Sequence, residues 1–180
     1  MIERMVQMVQ CPRVKLWEAL RDRTPDLGHH LDGVVVTKSE GVDQTSGGIS
    51  HREHQWRASA KVPPLIAQHI DESYLEWTCR TEWYEKDFRS RWLIEPAFLK
   101  NRPLCLVTMN FAPALGGRGT RLQVEIDLSA LGGPEALRTV TVRIVATHFR
   151  DLVDAARRLV EEGDRALAGE NANQIPGKSN

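Results

Sequence analysis

The sequence predicts an α+β fold in which a run of antiparallel strands is followed by one long amphipathic helix. Three observations predict it. From Pro134 to about Ala168, a step of about 100° per residue gathers Phe149, Leu152, Ala156, Leu159, Val160, Gly163, Ala166 and Leu167 into one apolar stripe. Arg150, Asp151, Asp154, Arg157, Arg158, Glu161, Glu162, Asp164 and Arg165 cover the other side, with Asp154/Arg158 and Glu161/Arg165 in the favourable acid-first order. Upstream, apolar residues recur at every second position in several segments, the period of a strand with one buried face. A proline-led amphipathic segment, Cys11 to Asp22 (CPRVKLWEALRD), supplies a short helix after the first of these strands.

Taken in order, residues 2 to 10 alternate loosely, with Met5, Gln7 and Val9 against Val6, Met8 and Gln10, as in a strand partly covered on both faces. Pro12 suits a first helical position, and Val14, Leu16, Trp17 and Leu20 form the apolar side of a helix ending near Asp22. Pro25 starts a second short helix or turn. After Gly33, the β-branched run Val34 to Thr37 is a strand, and Asp43 to Gly48 (DQTSGG) is a turn. From Ile49 to about Ser59, Arg52, His54 and Trp56 share one strand face while His51, Glu53, Gln55 and Arg57 share the other. Val62, Pro63, Pro64, Leu65 and Ile66 read as an apolar, proline-led loop or short helix, because tandem prolines supply no ladder N–H groups. Together with Leu27 to Leu31 this loop is the expected gate of any interior space.

The next strand is the cleanest in the chain, with Leu75, Trp77, Cys79, Thr81 and Trp83 alternating against Tyr74, Glu76, Thr78, Arg80, Glu82 and Tyr84. Phe88 to Pro96 repeats the pattern with Trp92 and Ile94 inward and Arg89, Arg91 and Glu95 outward, where solvated charge is the default. Leu104 to Pro113 is apolar on both sides, with Cys105, Val107, Met109 and Phe111 on one of them. Leu122, Val124, Ile126 and Leu128 then alternate with polar residues, after a hairpin turn at Leu115 to Gly119. Thr139 to Val145 (TVTVRIV) has strand propensity, so a final strand competes there with the helix that the Gly133-Pro134 start favours. Gly169 to Asn180 reads as a disordered tail, leaving residues 1–168 as one domain.

Composition narrows the function classes. At 180 residues the chain can bury a core without staples, and 24 basic against 24 acidic residues give no electrostatic reason to expect nucleic acid or an anionic membrane. No apolar run reaches the roughly 18 residues of a membrane span, and the charged N-terminus MIERMVQMVQ is unlike a signal peptide, so a cytoplasmic protein is expected. Cys11, Cys79 and Cys105 are odd in number and without CxxC spacing, which argues for reduced, buried thiols. His29 and His30 are adjacent, and His51 and His54 face opposite ways, so no metal site is expected. No GxSxG, HExxH, P-loop or GxGxxG occurs, and no cofactor is expected.

The order of elements, with the segments Cys11 to Asp22 and Asp26 to Val36 (DLGHHLDGVVV) and the terminal helix, resembles the START/Bet v 1-like superfamily of polyketide cyclase/dehydrase and lipid-transport proteins. Arg52 to Pro64 and the tryptophan-rich strand after it look similar to uncharacterised bacterial members. The resemblance covers roughly residues 2–168 and implies the helix-grip fold, a curved antiparallel sheet wrapped around the C-terminal helix with two short helices after the first strand. It implies an apolar ligand, a lipid, sterol or polyketide, held between sheet and helix, and it carries no catalytic residues over. By strand parity, Trp56, Trp77, Trp83, Trp92, Met109 and Phe111, with Phe149 of the helix, would line that cavity, or would simply fill it as core. The candidates for chemistry are His54, with Arg52 on its face, and His148 at the edge of the helix stripe. The expected function is binding of a hydrophobic small molecule or lipid for transport, sequestration or presentation. Its rivals are a cyclase or aromatase using the cavity His and Arg, and a protein-interaction module whose cavity has collapsed.

Overall fold

A computed structural model describes residues 1–31, 33–46, 48–58, 72–100, 102–132 and 134–173. Seven strands form one antiparallel sheet: β1 (Ile2–Val9), β2 (Val34–Ser46), β3 (Ile49–Ala58), β4 (Glu76–Tyr84), β5 (Arg89–Pro96), β6 (Cys105–Ala114) and β7 (Gly119–Asp127). Their order is β1-β7-β6-β5-β4-β3-β2, so β2 to β7 form a continuous meander and β1 closes onto its last strand. Two short helices, α1 (Arg13–Asp22) and α2 (Thr24–Leu27), separate β1 from β2, and α3 (Glu135–Asn173) ends the fold. This is the expected helix-grip arrangement, with the inner face of the curved sheet packed on α3.

The local chemistry of each helix explains its bounds. Pro12 precedes the first helical residue instead of occupying it, and its carbonyl accepts the first intrahelical bond from Leu16 at 3.0 Å. Leu16, Trp17, Ala19 and Leu20 bury one side of α1. Thr24 starts α2 by donating its hydroxyl to Leu20 O at 2.7 Å, and Leu27 and Leu31 are buried. In α3 the competing strand reading of Thr139 to Val145 loses, because Thr139 and Thr141 return their hydroxyls to the carbonyls of Glu135 and Leu137 and two of the three valines find a core. Val142 and Val145 are buried there.

Some expectations need correction. The strand beginning at Val34 does not stop near Thr37: β2 runs to Ser46, which pairs with Ile49, so the turn expected over Asp43 to Gly48 is mostly strand. Leu75 lies in a single 3-10 turn, Glu72–Leu75, ahead of β4. Glu95 faces outward yet is only 10% exposed, since Arg80 reaches it at 2.7 Å. The α3 stripe shifts as well. Val153 and Ala155 join Phe149, Leu152, Ala156 and Leu159 in the core, whereas Ala166 and Leu167 stay in water. The supporting layer ends where Lys15 of α1 meets Asp164 at 2.6 Å, and α3, about 58 Å long at 39 residues, outruns it. Of the expected ion pairs, Glu161 approaches Arg165 at 3.6 Å, while Asp154 faces Arg157, at 4.0 Å, in place of Arg158. The helix continues to Asn173, past the expected end at Ala168. The loop Val62 to Ile66 and residues 174–180 of the expected tail lie outside the described residues. No helix among the described residues is long and apolar enough to cross a membrane.

Two α3 positions test where the helix is held. Phe149 is 1% exposed and Leu167 is 61% exposed. Phe149→Ala should cost about 3 to 5 kcal/mol by cavity formation, whereas Leu167→Ala should cost under about 0.5 kcal/mol, as read by urea unfolding.

Candidate functional site

Strand parity places four residues of β3 on the inner face: Ser50, Arg52, His54 and Trp56. Opposite them on β4 stand Trp83, Thr81, Cys79 and Trp77 in the same order. Further rows follow with Trp92 and Ile94 on β5, and with Cys105, Val107, Met109 and Phe111 on β6. Two aromatic groups result, with different chemistry.

The first group lies under α1. Trp17 stands edge-on to Trp83, Phe111 and Phe88 at 4.8, 5.2 and 5.4 Å, and Trp92 packs edge-on against both Trp83 and Phe149 at 5.4 Å. Such perpendicular contacts are favourable for rings with a negative face and a positive edge. Two of its polar handles are used internally, since Trp83 and Trp92 donate their indole N–H groups to Thr81 Oγ1 and Ser90 Oγ at 2.9 Å. Met109 is fully buried among these rows.

The second group is unlike it. Trp56 and Trp77 are direct cross-strand partners, and their rings lie parallel within 2° at 6.3 Å. His148 of α3 stands perpendicular to both, at 5.6 and 5.8 Å, and burial alone pushes its pKa down to about 4. Trp56 is buried, and its indole N–H has no partner.

His54 is 2% exposed, one step along β3 from this group. Its Nδ1 lies 2.9 Å from Ser39 Oγ, and its Nε2 is buried without a hydrogen-bond partner. A fault in β2 makes the first contact possible. Val36 pairs with Trp56 but Lys38 pairs with Gln55, so one extra residue at Thr37 reverses the parity and brings Ser39 opposite His54. Ser39 was missed in the sequence for that reason. Burial, and secondarily the charge of Arg52, lower the His54 pKa to about 4 against a smaller opposing effect of Glu53. Both histidines are therefore neutral at pH 7. Arg52 itself is half-buried and turns toward α1, 3.5 Å from Asp22. Thus His54 and Trp56 come together with Trp77 and His148, while Arg52 points away to the α1 side.

Other reactive groups are quiet. Burial pushes the thiol of Cys11 up to about 11 and that of Cys105 up to about 12, and Cys79 rises further, so none is a thiolate nucleophile. Among the described residues no group of three or more His, Cys, Asp or Glu is placed to hold a metal ion. His51 lies on the outer face, in a hollow of about 340 Å³ whose charges pair off as Glu53/Arg80 and Glu82/Arg91. A second hollow of about 330 Å³, between α1 and α3, has its rim closed by Lys15 and Asp164.

No family model and no curated protein matches the chain. Solved structures do. The Zhui aromatase/cyclase from a Streptomyces species is 13% identical, with a TM-score of 0.60 over 93% of this chain and 97% of that one. Norcoclaurine synthase of Thalictrum flavum is 16% identical, with a TM-score of 0.54 over 91% and 96%. Ara h 8.0201 is 12% identical, with a TM-score of 0.56 over 90% and 98%. The chain has the Bet v 1-like helix-grip fold that these proteins share.

The two neutral histidines carry a pH signature. Both have folded-state pKa values near 4, below the unfolded value near 6.5, so between those limits the unfolded chain binds protons that the folded chain refuses. Stability should fall as pH drops from 6.5 to 4, by about 1 to 3 kcal/mol for each histidine. Urea unfolding of His54→Gln and His148→Gln against the wild-type chain at pH 7.5 and 5 should show a shallower loss in each variant.

Proposed function

We propose that the chain binds a hydrophobic small molecule or lipid between the sheet and α3, at the end marked by Trp56, Trp77 and His148. One observation carries this reading: two buried side-chain polar atoms without partners, His54 Nε2 and Trp56 Nε1, lie two positions apart on the inner face of β3. Leaving a buried donor or acceptor unmet costs about 1 to 3 kcal/mol each, so an unmet pair side by side points to something the chain does not itself supply. The parallel indoles beside them offer apolar walls. Trp83, Trp92, Met109, Phe111 and Phe149 act in this reading as the rigid floor that holds those walls in place. The names of an aromatase/cyclase and a norcoclaurine synthase with the same fold support a second reading, a cyclase or aromatase, which rests here on His54, the neutral base candidate of that face.

The test is extraction and mass spectrometry of small molecules from the purified, folded protein, followed by titration with fatty acids, sterols and aromatic ring compounds. Bound ligand should change tryptophan emission saturably and raise the melting temperature. Trp77→Ala should weaken binding about tenfold or more, and Glu82→Gln on the outer face should leave it unchanged. No co-purifying compound and no response to the whole panel would leave the interaction-module reading in its place.

A further inference from the structure

The inner face of β3 sets an unmet acceptor beside an unmet donor. His54 Nε2 and Trp56 Nε1 are both buried and unpartnered, on residues two positions apart and so about 7 Å along the strand. The other ring nitrogen of His54 is already committed to Ser39 Oγ at 2.9 Å. Ser39 is exposed, so its own hydroxyl hydrogen can go to water while its oxygen accepts from Nδ1–H. The opposite tautomer would strand an N–H in the interior, and orphaned buried donors are rarer in proteins than orphaned acceptors. Ser39 therefore fixes Nε2 as a lone-pair acceptor turned to the interior.

The surroundings narrow what it accepts from. A carboxylate would meet a lone pair at Nε2, and the guanidinium of Arg52 is turned to Asp22. An ammonium would need an anion, yet the inner-face residues of β3 and its partner β4 include no carboxylate, and Arg52 would repel it. On the β4 side His54 faces Cys79, a buried thiol. What remains is a neutral group with a hydrogen to give. We propose that the Ser39/His54 pair is the hydroxyl-recognition element of the site: Nε2 accepts a hydrogen bond from a hydroxyl on an otherwise apolar ring compound, and Trp56 Nε1 donates to an oxygen of the same molecule. This rests on the reading that the Trp56 end of the interior binds ligand.

The experiment titrates the folded protein with 2-naphthol and with 2-methoxynaphthalene, which keeps the ring and the oxygen but has no hydrogen to donate. Binding is followed by the indole and imidazole resonances. 2-Naphthol should bind about tenfold tighter, and His54→Phe should abolish that preference, bringing the two affinities level. Equal affinity of the wild-type chain for both compounds overturns the hydroxyl element and leaves the aromatic end as a ligand site. Absence of any saturable shift with either compound overturns the ligand-site reading and this proposal together. Ser39→Ala, at an exposed position, gives a second route that does not depend on replacing a buried ring. Proton–nitrogen correlation spectra of the unliganded protein should show Nε2 unprotonated in the wild type, with the tautomer balance shifted and the 2-naphthol preference reduced in Ser39→Ala. A protonated Nε2 in the wild-type chain at pH 7 overturns the proposal.

Discussion

The structure depends on the contact between α3 and the inner face of the sheet, centred on Phe149 against Trp92. A curved sheet cannot bury its concave face against itself, and β3 to β7 present tryptophans, methionine and aliphatic residues there that would otherwise meet water. Helix α3 supplies the opposing surface from Val142 to Leu159, all of it apolar at the buried positions. Because Trp92 is locked through Trp83 to Trp17, that one contact also fixes where α1 sits. The α1 end is thus a continuous lattice of edge-on rings, held through Trp17, Trp83 and Trp92, each of which meets two or more other rings.

Rigidity at one end frees the other to be different. The pair Trp56 and Trp77 joins the same sheet and meets that lattice through a histidine of α3, His148, which stands edge-on to Phe149 at 5.8 Å. A site built on strands and one helix, next to a locked core, holds its side chains in place better than a site on loops. The outer face follows the opposite logic. There, Arg80 bridges Glu53 and Glu95, and Arg91 meets Glu82, so the charges are neutralised pairwise in contact with solvent. The chain's zero net charge is distributed as local pairs on the outside and near-neutrality within.

How much of this could be read from the sequence depended on whether the local period was unbroken. In β4, β5 and β7 alternation is regular, so parity alone placed Trp77, Trp83, Trp92 and Ile94 on the correct face. The same rule put Arg52, His54 and Trp56 together, because β3 pairs with β4 without a slip. It failed in β2, where an extra residue at Thr37 inverts the faces and no side-chain type announces the inversion, so Ser39 could not be matched to His54. The helical stripe was legible but not its limits: periodicity continues through Leu167, while burial stops where α1 ends, and that stop is a tertiary fact. Glu95 was misread for a related reason. Parity gives its face, but the guanidinium that covers it comes from the neighbouring strand.

The clearest sign of function is a conflict between stability and chemistry. A fold under pressure only to be stable would place leucine or phenylalanine at position 54, since a histidine there is desolvated, forced neutral and left with one nitrogen unmet. Two other buried indoles and a buried hydroxyl are satisfied within the chain: Trp83 finds Thr81, Trp92 finds Ser90, Thr120 finds the carbonyl of Cys11 at 2.7 Å. The means of satisfying an indole N–H, a hydroxyl two residues away on the same strand, is used twice in the α1 group. At Trp56 the residue in that position is His54, whose ring is held by Ser39 instead. Where a chain solves a problem twice and leaves it open a third time on a neighbouring strand, the open instance is the one with a reason beyond folding.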